Sequence, residues 1–211
     1  MKPAPPDHLG DPVQTVRTLN IANALTALRL LLVPVFAVLL FHGDGLDPAW
    51  RWAAFVVFVV AALTDLADGE LARSRGLVTS FGKIADPIAD KALMGTALVG
   101  LSVLGQLPWW VTVVILVREI GVTLLRFWVI RDGVIPASRG GKLKTLLQGL
   151  AIGLYVAPLS GWAATLAAWI MGAALVVTVV TGVDYVVKAQ RLRHTARLTR
   201  AQAAGTSGVE G

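Results

Sequence analysis

The chain has 211 residues, of which 55% are hydrophobic and 15% charged, with 19 Lys and Arg against 13 Asp and Glu for a formal charge of +6. That length suits one domain, and the composition excludes a soluble one. The absence of cysteine and the presence of only three histidines exclude disulfides, thiolate chemistry and a histidine-centred metal site, leaving carboxylates to carry acid, base or metal chemistry.

Residues 1–13 hold Pro3, Pro5, Pro6 and Pro12 beside Asp7 and Asp11. They lack the basic stretch and short apolar core of a signal peptide and read as a disordered tail. A membrane catalytic domain is expected over 14–188, as six apolar spans at about 23–41, 52–73, 86–107, 109–130, 145–161 and 163–187. Each approaches the roughly 20 residues that cross about 30 Å of hydrocarbon as a helix. Gly105, Pro108, Trp109 and Trp110 mark a tight turn between the third and fourth, and Pro158, Ser160 and Gly161 divide the fifth from the sixth. Residues 189–211 read as a basic, then Ala/Gly-rich cytoplasmic tail, disordered from about Ala201.

Orientation follows from the cations, which are retained on the cytoplasmic side. Arg75 and Lys83 follow span two, Arg131, Arg139, Lys142 and Lys144 follow span four, and Lys188, Arg191, Arg193, Arg197 and Arg200 follow span six. The other three connections hold only Arg51. An all-α integral membrane protein with six transmembrane helices and both termini cytoplasmic is therefore expected, located in the cell membrane. Trp50, Trp52, Trp109, Trp110 and Trp162 would then form an outer interfacial belt. The net positive charge is accounted for by topology and anionic lipid headgroups, with no nucleic-acid partner expected.

Four acids stand out against this background. Asp65 and Asp68 are three apart at the end of span two, and Asp86 and Asp90 are four apart at the start of span three, so each pair shares a helix face. A single aspartate near a helix end would read as an interfacial cap. Two pairs brought to one depth by an antiparallel hairpin would instead repel one another, and hard divalent cations are the usual compensation. Two such ions clamp the attacking and leaving oxygens of a phosphoryl displacement, and oxygen-only ligands select magnesium or manganese. Small residues and hydroxyls lie between the pairs, while Arg73 could hold a phosphate.

The segment from Asp65 to Asp90, DLADGELARSRGLVTSFGKIADPIAD, resembles the DxxDGxxAR, eight residues, GxxxDxxxD signature of the CDP-alcohol phosphotransferases. Asn23, Thr26 and Arg29 resemble the NxxTxxR opening of that family's first span, and the resemblance extends over roughly residues 19–188. It implies the six-helix fold of the family, usually a homodimer, and attack of an alcohol on the diacylglycerol-linked phosphorus of CDP-diacylglycerol with release of CMP. By motif position it implies Asp65, Asp68, Asp86 and Asp90 as ligands of two Mg2+ ions, with Asp90 also the catalytic base. Asn23, Thr26, Gly69, Arg73 and Thr79 would face the CDP moiety and its phosphates.

DPIADK at 86–91, REI at 118–120 and GKLKT at 141–145 resemble the phosphatidylglycerophosphate synthase branch, which implies sn-glycerol 3-phosphate as acceptor. A phosphorylated acceptor needs cations beyond those serving the donor, and Arg118, too deep in its span for easy snorkelling, is the first candidate, with Lys142 and Lys144 beside it. Arg126, nearer the inner interface, is as well explained by snorkelling. Val117 and Glu70 depart from the common pattern of that branch. Phosphatidylglycerol or inositol phosphate remain alternative acceptors. A cation or proton transporter is the reading from another class; against it, all four acids cluster at one side with no relay across the outer half.

Overall fold

In the computed structural model the backbone is described over residues 21–75, 80–129 and 139–207, and side chains over 24–64, 88–89, 91–129 and 140–195. Six helices follow one another: α1 (Ile21–Phe41), α2 (Pro48–Arg75), α3 (Ser80–Val103), α4 (Trp109–Val129), α5 (Arg139–Val156) and α6 (Trp162–Ser207), with a 3-10 turn at His42–Gly45 after α1. No strand occurs among the described residues. Each expected span becomes a helix, although three of them shift. α3 and α5 begin six residues before the apolar runs do, because Lys83, Asp86, Lys142 and Lys144 interrupt hydrophobicity without interrupting backbone hydrogen bonding. α6 continues through Ser207, correcting the expectation of disorder from Ala201. Its Ala, Arg, Gln and Leu residues are strong helix formers that need no lipid.

The turn after α3 is a Schellman motif, with Gly105 at φ 69° and the Gln106 and Gly105 amides donating to the Leu101 and Ser102 carbonyls at 2.9 and 3.0 Å. α1 packs along both α2 and α3, α5 joins α2, α3 and α6, and α4 lies on α3 and α6. Phe36 and Leu40 of α1, Phe58 of α2, Leu93 and Leu101 of α3, Ile115 of α4 and Ile152 of α5 fill the shared core. The outer surface is apolar as well: Leu31, Val38, Val117, Leu124, Phe127, Leu146, Trp169, Val176 and Val183 are all exposed. Such a surface is costly in water and suited to lipid. Ala24–Gly45 and Trp162–Thr195 are each long and apolar enough to cross a membrane, and Pro48–Thr64 and Lys91–Val103 are shorter apolar segments.

Arg51, the one cation that departs from the charge asymmetry, is 4% exposed at the start of α2. Its guanidinium donates to the carbonyls of Val156 (2.7 Å), Tyr155 (2.5 Å) and Gly45 (3.3 Å) and to Gln106 Oε1. One side chain thereby ties the turn after α1, the turn after α3 and the carbonyl end of α5, where positive charge also complements the helix dipole. Gly45 has φ 67°, and a Cβ there would meet Leu104 Cδ1 at 2.5 Å, so the carbonyl is presented where only glycine fits. Arg51→Met leaves several buried acceptors unmet, at about 1–3 kcal/mol each. We expect the melting temperature of the detergent-solubilised protein to fall by about 6–12 °C, with activity retained well below that transition. An unshifted transition would mean that the clamp contributes nothing to stability.

Candidate active site

Asp65 and Asp68 lie in the second half of α2, and Asp86 and Asp90 in the first half of α3. Asp65 is ten residues before Arg75, Asp90 ten residues after Ser80, and residues 76–79 alone join the two helices. The hairpin therefore levels the two sets of backbone positions. The four carboxylates themselves, like Asn23, Gly69 and Arg73 beyond their helical backbone and Thr79 altogether, lie outside the described residues. Among the residues described, no cluster of three metal-ligating side chains occurs.

The described part of the site begins one turn below. Thr26 and Arg29, three apart on α1, are 1% and 0% exposed. Arg29 Nε donates to the Ala61 carbonyl of α2 at 3.3 Å, and Ala61 precedes Asp65 by a single helical turn. A buried guanidinium is costly without negative charge nearby. The sequence marks Arg29 only through its spacing to Asn23 and Thr26; its burial is a finding of the structure.

A second polar cluster lies between α3, α4, α5 and α6. Glu119 Oε1 accepts from Arg118 NH1 at 3.1 Å and from Lys144 Nζ, so α4 and α5 are joined by one carboxylate holding two cations. Arg118 NH2 donates to Thr181 Oγ1 of α6 at 3.1 Å, while Arg118 Nε is buried with no hydrogen-bond partner. A Cβ at Gly182 would meet Arg118 Cγ at 2.9 Å, so the small residue leaves the arginine its path across α6. Lys91, Met94, Gly95, Glu119, Lys144, Thr145 and Gln148 contribute to the wall of a cavity of about 160 Å³. Lys91 follows Asp90 directly in α3.

The expected acceptor cations are thus partly gathered. Arg118 and Lys144 meet through Glu119, whereas Lys142 is exposed, two residues and about 200° around α5 from Lys144. Arg126 is exposed too, with its Nε 3.5 Å from the Tyr185 hydroxyl. Glu119, Lys91 and Gln148 were not singled out in the sequence. The first two stand inside the REI and DPIADK motifs and were legible as neighbours of candidate residues; Gln148 lies one turn from Lys144 and carried no signal of its own.

Residues 19–180 match the family model described as CDP-alcohol phosphatidyltransferase. The chain belongs to that family. Its similarity to a "Probable phosphatidylglycerophosphate synthase" of Mycobacterium tuberculosis is 59% identity over 175 residues, covering 83% of this chain and 84% of the other. A "CDP-diacylglycerol--glycerol-3-phosphate 3-phosphatidyltransferase" of Bacillus subtilis is 36% identical over 182 residues, covering 79% and 93%. One of the same name from Escherichia coli is 40% identical over 140 residues, covering 63% and 74%. The cavity wall reaches the second aspartate pair in sequence through Lys91, the residue after Asp90.

Proposed function

We propose that this protein transfers the phosphatidyl group of CDP-diacylglycerol to sn-glycerol 3-phosphate, giving phosphatidylglycerophosphate and CMP. The single observation that carries the acceptor is the cavity walled by Lys144, Glu119 and Lys91, the residue after Asp90, with Arg118 held behind it on the same Glu119 carboxylate. Like-named relatives over most of the chain support the same reading. Asp65, Asp68, Asp86 and Asp90 would hold two magnesium ions, a role that their all-oxygen donor set fits; manganese has the same preference. When bound, such ions neutralise the phosphates and stabilise the charge that develops on the attacking and leaving oxygens.

The protein's own part is positioning and proton transfer. Thr26, with Asn23, Gly69, Arg73 and Thr79, holds the cytidine diphosphate portion of the donor. Arg118 and Lys144 fix the acceptor phosphate, with Lys142 at the approach. Asp90 takes the proton of the acceptor hydroxyl as its oxygen bonds to the diacylglycerol-linked phosphorus, and the bond from that phosphorus to the CMP oxygen breaks. Purified protein supplied with CDP-diacylglycerol and magnesium should release CMP only when glycerol 3-phosphate is added. Release with inositol phosphate or phosphatidylglycerol in its place would keep the family and change the acceptor.

In this reading the site faces the cytoplasmic side of the cell membrane, with six spans and both termini inside; the cation asymmetry supports the orientation and the apolar outer surface supports a membrane setting. The protein acts as a homodimer in this reading, as its relatives' fold implies. Single cysteines at the exposed positions Leu46 and Ser160 are expected to react with an impermeant thiol reagent on intact cells, and one at exposed Thr195 is expected to stay unlabelled until the cells are opened. Labelling of Thr195→Cys from outside would reverse the orientation.

A further inference from the structure

Among the groups around the 160 Å³ cavity, Gln148 stands apart. Its side chain is 3% exposed, and its Oε1 is buried with no hydrogen-bond partner. Unmet buried acceptors are rare in native structures and call for a ligand or water to meet them. The neighbouring groups are otherwise engaged: Glu119 Oε1 accepts from Arg118 and Lys144, and the Thr145 hydroxyl donates to the Gly141 carbonyl at 3.1 Å. Lysine ammonium groups donate only. Gln148 follows Lys144 by four residues, so the two share a face of α5 one turn apart. A ligand with its anionic end at Lys144 would extend toward Gln148.

We propose that Gln148 is a specificity-determining residue whose amide accepts a hydrogen bond from the non-reacting hydroxyl of a small phosphorylated polyol. The inference rests on the acceptor reading above and adds to it the group that distinguishes a triol phosphate from a diol phosphate of the same length. A neutral amide suits this role. It offers an acceptor without adding negative charge beside the acceptor phosphate, which a second carboxylate would do. Sites built to pair a substrate hydroxyl discriminate strongly against analogues that lack it, because the protein group is then left unmet.

The test compares glycerol 3-phosphate with 3-hydroxypropyl phosphate, which keeps the attacking hydroxyl and lacks the middle one. Both are assayed with CDP-diacylglycerol and magnesium in unsubstituted enzyme and in Gln148→Met, a change that keeps length and removes the acceptor. Unsubstituted enzyme should favour glycerol 3-phosphate in kcat/KM by about tenfold to hundredfold. Gln148→Met should lose that preference through a fall on glycerol 3-phosphate alone, with 3-hydroxypropyl phosphate and the KM for CDP-diacylglycerol within about twofold of the unsubstituted values. Equal loss on both acceptors in a protein that still elutes as a single detergent-solubilised species would overturn the proposal, and so would an unsubstituted enzyme indifferent to the middle hydroxyl. Should Gln148→Met fail to fold, Gln148→Asn keeps the amide, withdraws it by one methylene, and is expected to narrow the preference. An unchanged preference in that variant counts against the role. An unsubstituted enzyme that uses neither acceptor overturns the acceptor reading itself, and this inference with it.

Discussion

Asp90→Asn is expected to lower kcat by about 10²–10⁴-fold while leaving the affinity for CDP-diacylglycerol close to that of the unsubstituted protein. Asparagine preserves the shape of the side chain and one coordinating oxygen, but it cannot take a proton from the acceptor hydroxyl. Loss of a base acts on the transition state more than on ground-state contacts, so kcat should fall without a matching rise in KM. Two of the other aspartates should behave differently. Asp65→Asn or Asp86→Asn is expected to raise the magnesium concentration needed for half activity, because a ligand has lost its charge. A magnesium titration of Asp90→Asn that moves as far as those two, with kcat recovered at saturation, would make Asp90 a metal ligand and nothing more.

Glu119→Gln should produce the second large effect, on stability and acceptor use together. Lys144 and Arg118 have side-chain exposures of only 7% and 15%, and neutralising the Glu119 carboxylate that bridges them removes a negative charge that both cations share with little solvent. Breaking a buried pair by neutralising one partner costs on the order of 3–5 kcal/mol. The partial exposure of Glu119, at 21%, places the expectation at about 3 kcal/mol, the lower end of that range. Adding Lys144→Met to Glu119→Gln should recover much of the thermal stability, since the remaining Arg118 keeps Thr181 as a partner. It should not recover the KM for glycerol 3-phosphate, which now lacks a cation. Additive losses in the double variant would show that the carboxylate and the ammonium do not act as a pair.

The sequence and the structure divide the information between them along physical lines. Apolar runs made all six helices legible, and Gly105 with Pro108 located the turn after α3, because those signals are local. Helix ends at Ser80 and Arg139 were not legible from hydropathy, since hydrogen bonding carries a helix beyond the apolar run that suggests it. The aspartate signature was readable because four acids in lipid demand an explanation. Glu119 was not, although it lies beside Arg118: only the approach of α5 to α4 makes it a bridge to Lys144. Gln148 required more still, a buried amide oxygen with nothing to accept, which is a property of packing alone. Lys142 and Lys144 look equivalent in the chain, yet one is exposed and the other buried because two residues turn most of the way across a helix.

The Arg51 clamp bears on how the molecule is assembled in time. Two of the carbonyls that receive the guanidinium, Tyr155 and Val156, lie 104 and 105 residues further along the chain. A chain made from its N-terminus presents Arg51 well before α5 exists to meet it. Until then the guanidinium must stay hydrated. Insertion of α5 exchanges those waters for protein carbonyls and draws the turns after α1 and α3 onto its end. The bundle therefore latches late, after the aspartate-bearing hairpin of α2 and α3 has been made.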